Sequence, residues 1–319
     1  MIRVLIIIFI SMSLKANLLE RDDVKKFIDL AVEESNLTRE EIIDYIKDAQ
    51  PSPKAVELRS NQPEVKATWD DYRSKRVTDT RILNGVNFIN ENADIFNKVE
   101  KDYGVSKFYI ASIIGLETNY GGYLGSFNPL DTIFTRAFDP DSKFWQRELV
   151  ELLVLSKRYG LNPKEIKSSW SGAIGLGQFI PSSYNAYGVD YDYDGYVDLL
   201  NSRMDGIASV ANFLKVHGWN SNQPAAAQVA LSEQYSNLND EQIDELEFPF
   251  KINNFRTKVS PDTLNEAGFS VTTNQDDDLT PLLFFEEGAT KLFIGFDNFR
   301  AVSYTHLRAH ETKANLVCR

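Results

Sequence analysis

Apolar residues recur along this chain at intervals of three and four. Val24, Phe27, Ile28 and Ala31 predict a helix over 22–32. Thr38 and Glu41 make a T-x-x-E capping box ahead of a second helix, expected to run to Ala49 and to stop at Pro51 and Pro53. After a less regular stretch with Pro63 and Trp69, the residues Ile82, Val86, Ile89, Ala93, Phe96 and Val99 keep helical spacing as far as Gly104. Ile110, Ile113, Ile114 and Glu117 then fall at i, i+3, i+4 and i+7, so an otherwise apolar helix face ends in an acid. Asn119, Gly121 and Gly122 stop that helix. Residues 125–141 read as a loop, 144–159 as a helix with Leu149, Leu152, Leu153 and Leu155 inside, and 163–166 as a short helix. A further helix runs from Gly206 to near Gly218 with Ile207, Val210, Ala211 and Leu214 on one side. Past Trp219 the pattern predicts a helix over 225–231. It then predicts a polar loop over 274–278 and a β-hairpin of 282–285 and 291–295 around Glu286–Gly288.

The two ends depart from this pattern. Arg3 precedes the apolar run VLIIIFISM, which is too short to span a bilayer and has the form of a secretory signal, with cleavage near Ala16. Residues 303–319 turn basic, hold two of the three His and the only Cys, Cys318, and lack a helical stripe, so they read as a non-native tail. With one Cys there is no disulfide framework, Cys zinc site or Cys nucleophile. The 319 residues allow two or three domains, and 43% hydrophobic residues allow a sizeable core. Acids exceed bases by 46 to 34, and the net charge of −12 argues against nucleic acid or anionic lipid as the main partner.

Three stretches carry candidate chemistry. Glu117, at the edge of an apolar face, should lose hydration and hold its proton towards neutral pH, which suits a general acid; a plain helix-end cap or ion pair fits the spacing as well. In SGAIGLGQFIPSS, 171–183, small residues let backbone approach either a ligand or another helix. In DYDYDGYVDLLN, 190–201, Asp190, Asp192 and Asp194 stand at EF-hand positions one, three and five, Gly195 at six, the Tyr196 carbonyl at seven and Asp198 at nine. Asn201 replaces the usual Glu at twelve, and Asp205 supplies the missing carboxylate if the loop is longer. Closely spaced acids repel unless a cation sits among them; the alternative is a solvated acidic loop.

Together GLETNYG at 115–121, SWSGAIGLGQFIPSSY at 169–184, the Asp loop and SVANFLKVHGW at 209–219 resemble the B-type lytic murein transglycosylases. The resemblance runs from about Asp22 to Val302 and takes in Trp69–Tyr72 and 297–299. It implies a mainly α (α+β) fold: a lysozyme-like helical core, a helical N-terminal part, an EF-hand-like loop and a small β element. The corresponding boundaries are 1–16 signal, 17–103 helical part, 104–222 catalytic core, 223–302 mixed part and 303–319 tail. It implies cleavage of the MurNAc–GlcNAc bond of peptidoglycan to a 1,6-anhydro end, with Glu117 as sole acid and then base. Asp131, the nearest downstream acid in sequence, is a weaker candidate for a second carboxylate and fits a helix cap as readily. Ser169 and Gln178 would hydrogen-bond sugar, and Tyr120 and Tyr184 would offer it aromatic faces, with core packing an equally good reading of Tyr184. One structural Ca²⁺ would be held by Asp190, Asp192, Asp194, Tyr196 and Asp205, with no organic cofactor. Phe213 stands where relatives commonly have Tyr, Asp205 lies one residue later than usual, and the family's Tyr-bearing segment after 299 is replaced by 303–319. A periplasmic monomer acting on glycan strands, without a stable membrane anchor, follows. The rivals are a hydrolytic muramidase and a non-catalytic wall-binding module.

Overall fold

The computed structural model describes residues 18–60, 68–138, 142–254, 256–272 and 279–309. The N-terminal apolar run, the 274–278 loop and Cys318 lie outside them. In chain order the helices are α1 Asp22–Glu34, α2 Arg39–Ile46, α3 Pro53–Ser60, α4 Trp69–Arg76, α5 Asp79–Glu91 and α6 Ala93–Tyr103. Then come α7 Lys107–Thr118, α8 Pro129–Ala137, α9 Lys143–Tyr159, α10 Pro181–Tyr187 and α11 Arg203–Val216. Four strands follow among the described residues, β1 Ala226–Leu231, β2 Phe269–Ser270, β3 Thr280–Glu286 and β4 Ala289–Gly295, with two short helices, Asp240–Asp244 and Pro261–Glu266, between β1 and β2, and then the last long helix, α12 Asp297–Ala309. The protein is mainly helical with one small sheet, as expected. No helix among the described residues is long and apolar enough to cross a membrane.

The chain divides into two packed units, neither of them one continuous stretch: 1–61 with 121–209, and 62–120 with 210–319. In the first unit α9 is the central helix, packed by α1, α8 and α10. Its Leu149, Leu152, Leu153 and Leu155 are fully buried, which is the face the spacing marked. The capping box forms: Thr38 Oγ1 accepts the Glu41 N–H at 3.2 Å, and the Glu41 carboxylate accepts the Thr38 N–H at 2.8 Å. Such a cap is worth about 1 kcal/mol. It starts α2, which ends at Ile46 rather than Ala49.

In the second unit the long segment expected up to Gly104 is two helices, α5 and α6, broken at Asn92. Phe88, Phe96 and Val99 are buried, but Ile82 and Val86 are exposed, so the apolar stripe faces inward only over its second half. The sheet order is β2-β1-β4-β3, all antiparallel, over a core that includes Phe269, Leu283, Leu292 and Ile294. The β3–β4 hairpin is the one expected, with Glu287 and Gly288 at φ 52° and 80° in its two-residue turn.

Five local readings change. Residues 225–231 were expected to be helical, yet Ala226–Leu231 is β1, paired along β4 from Ala226↔Gly295 to Val229↔Leu292. The helical preference of Ala and Gln is tenths of a kcal/mol per residue, so pairing on both edges outweighs it. The 125–141 loop contains α8, started by Asn128 and Pro129. The 163–166 segment is a turn, not a helix. α3 and α4 occupy the stretch read as irregular. Finally, α12 runs through Ala309 into the stretch read as lacking helix.

Candidate active site

Glu117 sits in the last turn of α7, whose Ile110, Ile113 and Ile114 are buried. Ser106 caps the start and Asn119, at φ 50°, ends it by donating to the Gly115 carbonyl at 3.1 Å. Asn rather than Gly takes the left-handed position, and Tyr120 follows at φ 62°. A left-handed Tyr costs on the order of 1 kcal/mol, and three contacts in the second unit hold it there. Its hydroxyl donates to the Arg81 carbonyl at 2.9 Å. Its ring lies 5.4 Å from that of Phe88. Gly85 and Gly115 leave room for the side chain, since a Cβ on Gly85 would come 2.6 Å from its hydroxyl and one on Gly115 2.5 Å from its ring. Tyr120 therefore locks the end of α7 three residues past the acid.

Part of Glu117's surface stays open. Loss of hydration nonetheless raises its pKa to about 7, with the Arg76 cation pulling the other way. A carboxyl that is half protonated near neutrality can give a proton and later take one back. Arg76 was not foreseen, because α4 carries no helical signal in its residue pattern.

Asp131 is different. It lies in the first turn of α8, pairs with Lys164 Nζ at 2.5 Å and accepts the Gln50 N–H at 2.8 Å. Those partners give it a structural role.

Ser169, Gln178 and Tyr184 belong to the first unit. Ser169 Oγ accepts the N–H groups of Ser171 and Ala173 at 3.2 and 3.1 Å, closing a tight turn. Gln178, at φ 51°, donates through Nε2 to the Gly175 carbonyl at 2.9 Å. The glycines between them serve close packing: a Cβ on Gly175 would sit 2.4 Å from the Leu199 carbonyl oxygen. Tyr184 corrects the sequence reading. It is 1% exposed, its hydroxyl donates to the Val197 carbonyl and accepts the Leu199 N–H, both at 3.0 Å, and it has no face to offer a sugar. It anchors the far end of the acidic loop. A cavity beside Lys47 and Lys164 in the same unit includes none of the expected site residues.

In the acidic loop, carboxylate oxygens of Asp190, Asp192 and Asp194 lie within 4.8 Å of one another. Asp190 accepts the N–H of Gly195 at 2.9 Å and Asp194 that of Tyr196 at 2.8 Å, so backbone donors shape the turn, with Gly195 at φ 90°. Asp198 caps the turn at Leu200 and Asn201. The Tyr196 hydroxyl donates to the Tyr159 carbonyl. Asp205 does not join the three-acid group; it is buried and its two oxygens accept the N–H groups of Tyr191 and Asp198, each at 2.8 Å. Burial raises its pKa. Three convergent carboxylates without nitrogen or sulfur donors fit a hard cation such as Ca²⁺.

With this geometry in view, residues 20–306 match the model of the transglycosylase SLT domain family. The chain is 33% identical over 208 residues to membrane-bound lytic murein transglycosylase B of Escherichia coli, covering 62% of this chain and 57% of that one. Among solved structures it resembles the soluble lytic transglycosylase SltB1 of Pseudomonas aeruginosa, with TM-score 0.75 and 29% identity over 92% of this chain and 97% of that one. It also resembles the Escherichia coli lytic transglycosylase Slt35, solved in complex with calcium, with TM-score 0.75 and 28% identity over 92% and 89% of the two chains. The chain spans just over half the length of the curated relative it matches, and the match over 20–306 makes it a member of the transglycosylase SLT domain family.

Proposed function

We propose that this chain cleaves the β-1,4 bond between MurNAc and GlcNAc in peptidoglycan without water, with Glu117 as its only acid and base. Glu117 gives its proton to the bridging oxygen as the bond to C1 breaks. The N-acetyl group of MurNAc stabilises the positive charge at C1, the role a second carboxylate plays in most glycosidases. The Glu117 carboxylate then takes the proton of the C6 hydroxyl as that oxygen bonds to C1, which closes the 1,6-anhydro ring and restores the acid. What carries this reading is the partly open Glu117 carboxyl at the locked end of α7, where burial raises its pKa to about 7, and the ion pair of Asp131 with Lys164 supports a single-acid scheme. Ser169 and Gln178 are the sugar-binding residues, and Tyr120 acts by fixing the α7 end.

Ca²⁺ at Asp190, Asp192 and Asp194 is a brace, with Asp205 tying the loop together through backbone donors, and it enters no chemical step. The protein needs no organic cofactor. It acts in the periplasm, exported by its N-terminal segment. Mass spectrometry of digested murein sacculi tests the reaction: anhydro-MurNAc ends are expected, and reducing MurNAc ends would make it a muramidase instead. Glu117→Gln should lower turnover by several orders of magnitude while the protein still sediments with sacculi.

A further inference from the structure

The turn that carries Ser169 is seated by backbone at its arms and by a cation at its crown. In the first arm, Ser168 and Phe127 exchange backbone hydrogen bonds at 2.8 and 3.2 Å. In the second, Gly172, at φ 86°, lies against α8, where a Cβ would come 2.4 Å from Ile133 Cγ1. Between the arms stands Trp170, half-buried. Arg136, in the last turn of α8, holds its guanidinium 5.4 Å from the centroid of the Trp170 ring and 3.6 Å from that of Trp145 on α9. Arg136 and Trp145 are 5% and 4% exposed. The cation is therefore out of water, against two indole rings. Desolvating a guanidinium is unfavourable, and for stability alone an apolar side chain of similar volume often serves as well or better. Attraction to an indole face offsets part of that loss. What a planar cation adds is a preferred placement of the ring it stacks on, which a flexible apolar chain does not supply.

We propose that Arg136 is a positioning residue for sugar binding: by holding Trp170 it keeps the crown of the turn, and with it Ser169, where a glycan strand is met. The inference rests on reading Ser169 as a sugar-binding residue. The Ser169 hydroxyl accepts the N–H groups of Ser171 and Ala173 and shares a bond with Ser171 Oγ at 2.9 Å. Trp170 lies between Ser169 and Ser171 in the chain, so a slip of its ring shifts that hydroxyl and its partner together. Arg136 is buried and acts only through the indole.

The test is a ¹⁹F NMR titration of the full chain carrying 5-fluorotryptophan at its four Trp, with the Trp170 signal assigned from Trp170→Phe. A Glu117→Gln background keeps the ligand, a GlcNAc–MurNAc tetrasaccharide, intact. Arg136→Met should melt within a few degrees of the parent, move the Trp170 signal of the free protein, and weaken tetrasaccharide binding about tenfold, the size of a desolvated cation–π contact. Arg136→Lys, which keeps the charge but not the plane, should bind with intermediate affinity. If Arg136→Met fails to fold, Trp170→Leu cuts the same contact from its half-buried side, and the same loss of affinity is expected. Unchanged affinity in the variant used, or an unmoved Trp170 signal in a folded Arg136→Met, overturns the proposal. Ser169→Ala, titrated alongside, tells the two readings apart. Parent-like binding there rejects Ser169 as a sugar residue, and the proposal with it; a loss there with none in Arg136→Met rejects the positioning role alone.

Discussion

At Glu117 two requirements meet that usually oppose each other. A buried acid keeps its proton, yet a catalytic one must touch substrate, and here a partly open residue has a pKa of about 7. The helix register that turned it inward was readable, because Ile110, Ile113 and Ile114 define the face. The direction of its pKa shift was readable too, because loss of hydration is the main cause, but the opposing pull of Arg76 was not, since α4 carries no helical signal in the sequence. Aromatic residues were less readable still: Tyr120 and Tyr184 look alike in sequence, but one closes a helix and the other is sealed beneath a loop. The raised pKa has a stability consequence. In the unfolded chain the carboxyl ionises near 4.5, in the folded one near 7. Below the first value both states are neutral. Between the two the unfolded chain gives up its proton first, so stability falls as pH rises and levels off above about 7. The full loss is roughly 3 kcal/mol. Glu117→Gln, which cannot ionise, should therefore melt like the parent at pH 4.5 and several degrees higher at pH 8. Equal melting temperatures at pH 8 would mean the carboxyl is not desolvated.

At the level of elements, local signals were followed wherever the chain satisfies its own backbone groups. The Thr38 box and the β3–β4 turn close through residues within a few positions, and both were read correctly in place. β1 was misread because its strand state depends on β4, some sixty residues away, which no local window contains. α8 was missed because Gly, Pro and Asp in the flanks masked its Asn128 cap. The acidic loop depends on both near and far partners, and its stability should separate them. Removing Ca²⁺ with a chelator should lower the melting temperature, by an amount set by how far the free cation exceeds its dissociation constant: about 2.7 kcal/mol at a hundredfold excess. Asp205→Asn should destabilise the chain by about 1–3 kcal/mol even with chelator present, because an amide NH₂ then faces a backbone N–H that had an acceptor. Calorimetry with and without EGTA distinguishes the two, and an Asp205→Asn loss that vanishes in EGTA would make Asp205 a ligand rather than a tie.

Over the whole molecule, the sequence suggests consecutive parts, with 104–222 as a catalytic core, whereas the packing interleaves two units along the chain. The reason is visible within the second unit. The start of α7 is tied forward, with Tyr109 4.8 Å from the Trp219 ring and Trp219 Nε1 donating to the Gly104 carbonyl at 2.9 Å. Its end is tied backward, with Tyr120 seated on Gly85, Phe88 and the Arg81 carbonyl. The helix that carries the acid thus depends on residues on either side of it in sequence, and a linear cut on the early side removes the seat of Tyr120. A fragment of 104–222 keeps Glu117, Ser169, Gln178 and the acidic loop, so by motif content it should work. By packing it should not: α7 loses α5, Tyr120 loses its acceptor and the left-handed turn it stabilised, and Arg76 is gone. Such a fragment is expected to show helical signal without a cooperative melt, and fast amide exchange at 114–118, where a fragment of 18–309 protects them. Cooperative melting of the 104–222 piece, with slow exchange at Glu117, would show that the acid's helix needs nothing from α4 and α5.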